Sequence, residues 1–173
     1  MGMNATSPAG SRGRRETGAA LVEFAFVFPI LFLLVYGVIV YAYVYVIQQS
    51  ITYAAQEAAE AAVAVSPAVD DYFTQQQTVV RATAVSALSW LPPKQRERVL
   101  GAAGEKVDVQ PCLKGASGCP VDTDALRVTL RFTVRPDSSN CSKDALFPML
   151  NLYFVGCVPP LPETLTATAV VRI

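Results

Sequence analysis

Gly18-Ala19-Ala20-Leu21-Val22-Glu23-Phe24 opens an apolar run that continues to Ile47, and from Phe24 to Ile47 there are 24 residues without a charge. A helix needs roughly 20 predominantly apolar residues to cross the hydrocarbon core of a bilayer. The run therefore reads as a membrane-spanning helix, placed at residues 19–49. A single carboxylate, Glu23, sits just inside its start. The cost of a charge in that setting rises toward about 2.5 to 3.5 kcal/mol at the helix centre, so Glu23 is the first functional clue.

Upstream, residues 1–17 are polar and small, with Ser7-Pro8-Ala9-Gly10-Ser11 in the manner of a flexible leader and Arg12, Arg14 and Arg15 set against a single Glu16. No basic residue follows the span until Arg81. The positive-inside rule then places the amino terminus in the cytoplasm and everything after the span outside it. A secretory signal has an apolar core of about 7 to 15 residues followed by a small-residue cleavage site. Here the core is longer, and Gln48-Gln49-Ser50 runs straight into Ile51-Thr52-Tyr53-Ala54-Ala55-Gln56-Glu57, so the apolar helix is expected to be retained.

Within the span, Pro29 removes one backbone donor and Gly37 is a second weak point, which predicts a bend or local unwinding between them. Tyr36, Tyr41, Tyr43 and Tyr45 cluster toward the far end, as aromatic side chains do at the headgroup level. They set the outer boundary near Tyr43 to Gln49. Downstream, residues 50–66 continue in helix formers, with Ile51, Ala55, Ala58, Ala62 and Val65 on one face. Small side chains suit close approach by other helices, and they suit equally well packing against the chain's own head.

Ser66-Pro67 ends that helix, since the residue before a proline is steered out of the helical region. A second helix is expected from Asp70 or Asp71 as cap, with Phe73, Val80, Ala84, Ala87 and Leu91 on its buried face, stopping at Pro92-Pro93. Trp90, near its end, reads as core. Lys94 to Leu100 suggests one further short turn.

Beyond Gly104 the period changes. Val107 and Val109 flank Asp108 in a short alternation. From Ala125 to Arg135, Leu126, Val128, Leu130, Phe132 and Val134 alternate with Arg127, Thr129, Arg131, Thr133 and Arg135, the pattern of a half-buried strand. The closing stretch repeats it, with Leu165, Ala167, Ala169, Val171 and Ile173 against Thr164, Thr166, Thr168 and Arg172. An antiparallel sheet packed on helix 70–91 would bury these faces. Between the two strands, residues 136–162 read as an irregular excursion carrying Phe147, Pro148, Met149, Tyr153 and Phe154, a candidate contact surface. The fold class is α+β: leader 1–18, transmembrane helix 19–49, helical continuation 50–66, and an extracytoplasmic head at 67–173.

Composition narrows the functions. Fourteen basic residues balance fourteen acidic ones, which gives no field for nucleic acid. Histidine is absent, and with it the commonest general base and metal ligand. No glycine-rich phosphate loop, GxSxG motif or carboxylate pair appears, Asp122 and Asp124 reading as turn residues, so neither an enzyme nor a cofactor is expected. All four cysteines, Cys112, Cys119, Cys141 and Cys157, follow the span. Without a CxxC pair they suit a zinc site poorly, and outside the cytoplasm they read as two disulfides. Of the three pairings, Cys112 with Cys119 and Cys141 with Cys157 is preferred, because each pair brackets a stretch rich in Gly, Pro, Ser or Asn.

A basic leader ending in Gly18, a Glu five positions on, Phe24 and a retained helix resemble the class III signal of type IV pilins and pseudopilins. More closely, Gly18 to Ala25 followed by Phe28-Pro29 resembles the TadE-like proteins of tight adherence (Tad/Flp) pilus systems, and the tail from Leu165 to Arg172 is similar to that family's closing strand. The resemblance implies that a prepilin peptidase cuts after Gly18 and that Ala19 becomes the new amino terminus. It implies as partners the lipid bilayer, other pilins or pseudopilins, and the Tad inner-membrane assembly platform. Glu23 would then meet a terminal amine, either that of a neighbouring subunit or, four residues away on the same face, its own. The alternative is a signal-anchored extracytoplasmic binding protein unrelated to pili.

Overall fold

The computed structural model describes residues 13–68, 70–115, 119, 123–134, 146, 150–152 and 156–173. It is α+β, a long amino-terminal helix, two shorter helices and a small antiparallel sheet. Two compact units are present, Met1–Tyr41 and Ala42–Ile173.

Helix α1 covers Gly13–Val63. It takes in the last six residues of the stretch assigned to the leader, Gly13 to Gly18, because Arg14 to Thr17 contain no proline or glycine to stop a helix once the apolar run has nucleated one. Unwinding between Pro29 and Gly37 does not occur, as both lie within continuous helix. One proline removes one donor, and the adjoining turns carry the helix past it. In the first unit the large apolar side chains from Leu21 to Val35 are all exposed, Leu21 at 69% and Phe26 at 74%. Phe24, Phe28, Phe32 and Tyr36 form a ladder along one face, with ring centroids 5.3, 6.3 and 6.5 Å apart.

In the second unit α1 is core. Val44, Ile47, Ile51, Ala54, Ala55, Ala58 and Ala62 are buried, so the small-residue face that was open to either reading packs against the chain's own head. The helix stops at Val63, short of Ser66: Ala64 and Val65 donate to Ala61 and Ala62 carbonyls three residues back, tightening the last turn.

Helix α2 covers Tyr72–Ala87. Asp71 is its cap residue, but not through its side chain; it takes the left-handed conformation at φ 59°, and its carbonyl accepts from Gln75 N. The buried face is Gln76, Val80 and Ala84, while Phe73 is exposed, correcting its expected place in the core. The helix ends at Ala87 rather than at the prolines. Ser89 N and Leu91 N donate to carbonyls three residues back, and this tight turn sends Leu88 and Leu91 inward and Trp90 outward. Trp90 is 56% exposed and not core. Helix α3, Pro93–Leu100, starts with proline in its first turn, where the missing N–H costs nothing, and buries Val99 and Leu100.

Strands β1 (Asp108–Cys112), β2 (Ala125–Thr133) and β5 (Thr164–Arg172) form an antiparallel sheet in the order β1-β2-β5. Leu126 stands opposite Val171, Leu130 opposite Ala167 and Phe132 opposite Leu165. Leu126, Val128, Leu130 and Phe132 are fully buried, and the alternation fixes which face they occupy, since a slip of one residue would turn every side chain over. α3 packs close to β2, α2 bonds to α1 through Gln76, and α1 bonds to β5 through Gln48. In place of the expected packing of the sheet on α2, the elements seen against the sheet are α3, beside β2, and α1, bonded to β5, while α2 bonds to α1. The stretch read as irregular contains two paired strands, β3 (Leu150–Leu152) and β4 (Gly156–Val158). Phe147, Pro148, Met149, Tyr153, Phe154 and Arg135 lie outside the described residues.

Candidate processing and assembly site

Gly18, Ala19, Glu23 and Phe24 all lie on α1 with exposed side-chain positions. Ala19 and Glu23 are one turn apart on one face. In the uncleaved chain the Ala19 nitrogen is a helical amide, so it offers no charge to Glu23, and Glu23 has no hydrogen bond or ion pair among the described residues. A Cβ added at Gly18 would meet nothing within 4 Å, so no packing within the folded chain requires glycine there. Arg14 and Arg15 fall within the helical backbone of α1; Arg12 lies outside the described residues.

The end of the span is held by bonds that the sequence did not announce. Tyr43 donates its hydroxyl to Gln95 Oε1 of α3 at 2.8 Å. Gln48 Nε2 donates to the Thr166 carbonyl of β5 at 3.3 Å. Gln76, 1% exposed, donates from Nε2 to the Ala62 carbonyl at 3.3 Å, a second donor beside Val65 N to an acceptor in the last turn of α1. A glutamine in an otherwise apolar stripe at 80, 84 and 88 was the available signal for that bond.

Cys112 and Cys119 form a disulfide with Cα atoms 5.6 Å apart. The Arg127 guanidinium lies 3.6 and 3.4 Å from the two sulfurs. Cys157 is also disulfide-bonded, and its expected partner Cys141 lies outside the described residues. Asp124 acts as a turn residue, its carboxylate accepting from Lys114 N and its carbonyl from Ile173 N; Asp122 lies outside the described residues. No group of His, Cys, Asp or Glu among the described residues is arranged to hold a metal ion.

A second local device shapes the turn after α3. The Ala103, Glu105 and Ala102 N–H groups hold the Glu105 carboxyl below its usual range, with Ala102 N and Ala103 N at 2.9 and 2.7 Å from its oxygens. Gly101, at φ 76°, admits that carboxylate because it carries no Cβ; one built there would overlap it.

Residues 18–60 match the family model described as TadE-like protein. This segment is TadE-like. The match opens on Gly18 and closes within α1, covering the exposed apolar run, Glu23 and most of the alanine stripe. No curated protein and no solved structure matches the chain. The TadE-like segment therefore carries the similarity, and its one long apolar helix fits a single-pass membrane anchor.

Proposed function

We propose that the chain is a pseudopilin or minor pilin that acts in assembly of a Tad/Flp pilus for surface adherence. The observation that carries this reading is the coincidence of the TadE-like match with Gly18, on a helix whose large apolar side chains are exposed from Leu21 to Val35 and in which Glu23 follows at the fifth position after that glycine. Prepilin peptidase removes residues 1–18, leaving Ala19 as a terminal amine. With a reference pKa near 7.7 to 8.0, that amine is substantially protonated. At 4 Å and an effective dielectric of about 20 it attracts Glu23 by roughly 4 kcal/mol before desolvation is subtracted. Whether contributed by a neighbour or by the same chain, the pair neutralises a carboxylate that is otherwise costly near lipid.

The amino terminus is cytoplasmic, the head lies outside the inner membrane, and the partners are other pilins or pseudopilins and the Tad assembly platform. The role is structural rather than enzymatic, as expected of a pilus subunit. The head suits a minor, initiating or assembly component better than a repeated subunit, since it sets the chain apart from the major Flp pilins, which are very short. Amino-terminal sequencing of membrane-extracted protein from strains with and without the peptidase tests this. A mature chain that begins at Ala19 only when the peptidase is present is the expected result. Retention of residues 1–18 in both strains would instead support a signal-anchored binding protein.

A further inference from the structure

We propose that the head carries its own membrane-surface contact, formed by Trp90 with Lys94, Arg98 and Lys106, which engages the anionic lipid headgroups of the bilayer that holds the anchor. The proposal rests on the reading of α1 as a membrane span. Counted from Phe24, roughly 20 helical residues bring the outer limit of the hydrocarbon core to Tyr43. The hydroxyl of Tyr43 donates to Gln95 of α3 at 2.8 Å. That bond sets α3 at headgroup level, because its partner on α1 stands there.

What surrounds Gln95 has the chemistry of such a level. Lys94, Glu97, Arg98 and Lys106 line one open depression. Arg96 lies next to Gln95 in the sequence, and residues 94–106 carry four cations against two carboxylates. The lining itself holds three cations, Lys94, half-buried Arg98 and Lys106, against one carboxylate, Glu97, so its formal charge is positive. Four residues before Lys94 in the sequence stands Trp90, the only tryptophan in the chain, 56% exposed although Leu88 and Leu91 beside it in the turn are buried. An indole with an apolar body and one donor favours the boundary between lipid and water. Basic side chains close to a membrane surface are drawn to anionic lipids. Tyr45, 64% exposed, adds a second aromatic at the same level of α1.

The test uses the full-length chain in vesicles, with Trp90 as the intrinsic probe. Vesicles of phosphatidylcholine alone are compared with vesicles that also contain phosphatidylglycerol, each carrying a nitroxide either on the headgroup or deep in the acyl chain. Headgroup nitroxide should quench Trp90 more than the deep label, by about twofold more in the anionic vesicles than in the neutral ones. The triple variant Lys94→Gln, Arg98→Gln, Lys106→Gln should lose that difference while retaining the wild-type circular dichroism spectrum. Flotation separates the two readings. A chain that floats with the vesicles but leaves Trp90 unquenched overturns the headgroup contact and leaves the anchor standing; a chain that does not float overturns both.

Discussion

Replacing Gly18 by alanine asks what the glycine before the proposed cut is for. Gly18 lies within α1, is exposed, and has open space where a Cβ would go. Gly18→Ala therefore creates no clash and should strengthen the local helix by about 1 kcal/mol. Cleavage after residue 18 requires the helix to open so that the scissile carbonyl can enter the peptidase. A cost of about 1 kcal/mol lowers the open population roughly fivefold. Gly18→Asn differs from glycine by only about 0.3 kcal/mol in helix preference, which slows opening less than twofold. If opening alone limits processing, the alanine chain is cut roughly five times more slowly and the asparagine chain almost normally. If the peptidase excludes any side chain at that position, both substitutions abolish cutting. Pulse-chase labelling, with the leader-bearing and mature forms resolved by gel and the product terminus sequenced, reads both rates. Processing of the Gly18→Ala chain to Ala19 at the wild-type rate would refute the reasoning.

Three further outcomes follow from the head. Gln76→Ala removes a buried bond to the Ala62 carbonyl and leaves a void; thermal unfolding should show a loss of about 1 to 3 kcal/mol, with Gln76→Leu less affected because it refills the volume. Cutting the bridge between Cys112 and Cys119, seven residues apart, with a double Cys→Ala variant should cost about 2.4 kcal/mol by the chain-entropy relation. For a chain of this size that corresponds to a fall of roughly 5 to 10 °C in Tm, and an unchanged Tm would show that the loop is already constrained by other contacts. Glu105 has a folded pKa held down by backbone N–H groups, so its contribution is present above its unfolded pKa and lost as pH falls through the folded value. Unfolding curves of Glu105→Gln and wild type should therefore differ near neutrality and converge in acid.

Much of this was legible in local pattern. Alternation from Leu126 to Val134 and from Leu165 to Val171 fixed two strands and the face each buries, because a strand's period of two leaves only one way to hide an apolar set. The glycine and proline stops placed α3 almost to the residue. Trp90 was misread because its position was judged by hydrophobicity, whereas the tight turn at 88–91 changed the phase and turned it outward. The pairing of β3 with β4 was hidden in a stretch too short and too rich in turn residues for alternation to show.

The sequence by itself determined the long uncharged apolar helix and the places of Gly18 and Glu23 at its start, since length without charge and residue order are properties of one segment and need no partner. Only the tertiary structure decided what covers the alanine stripe of α1. Small side chains on a helix face specify close approach without specifying by what, and here it is the chain's own head that fills the space. The same holds for Tyr43: its aromatic ring near the end of the apolar run is written in the sequence, but its bond to Gln95, fifty-two residues away, exists because folding brings α3 against that turn of α1.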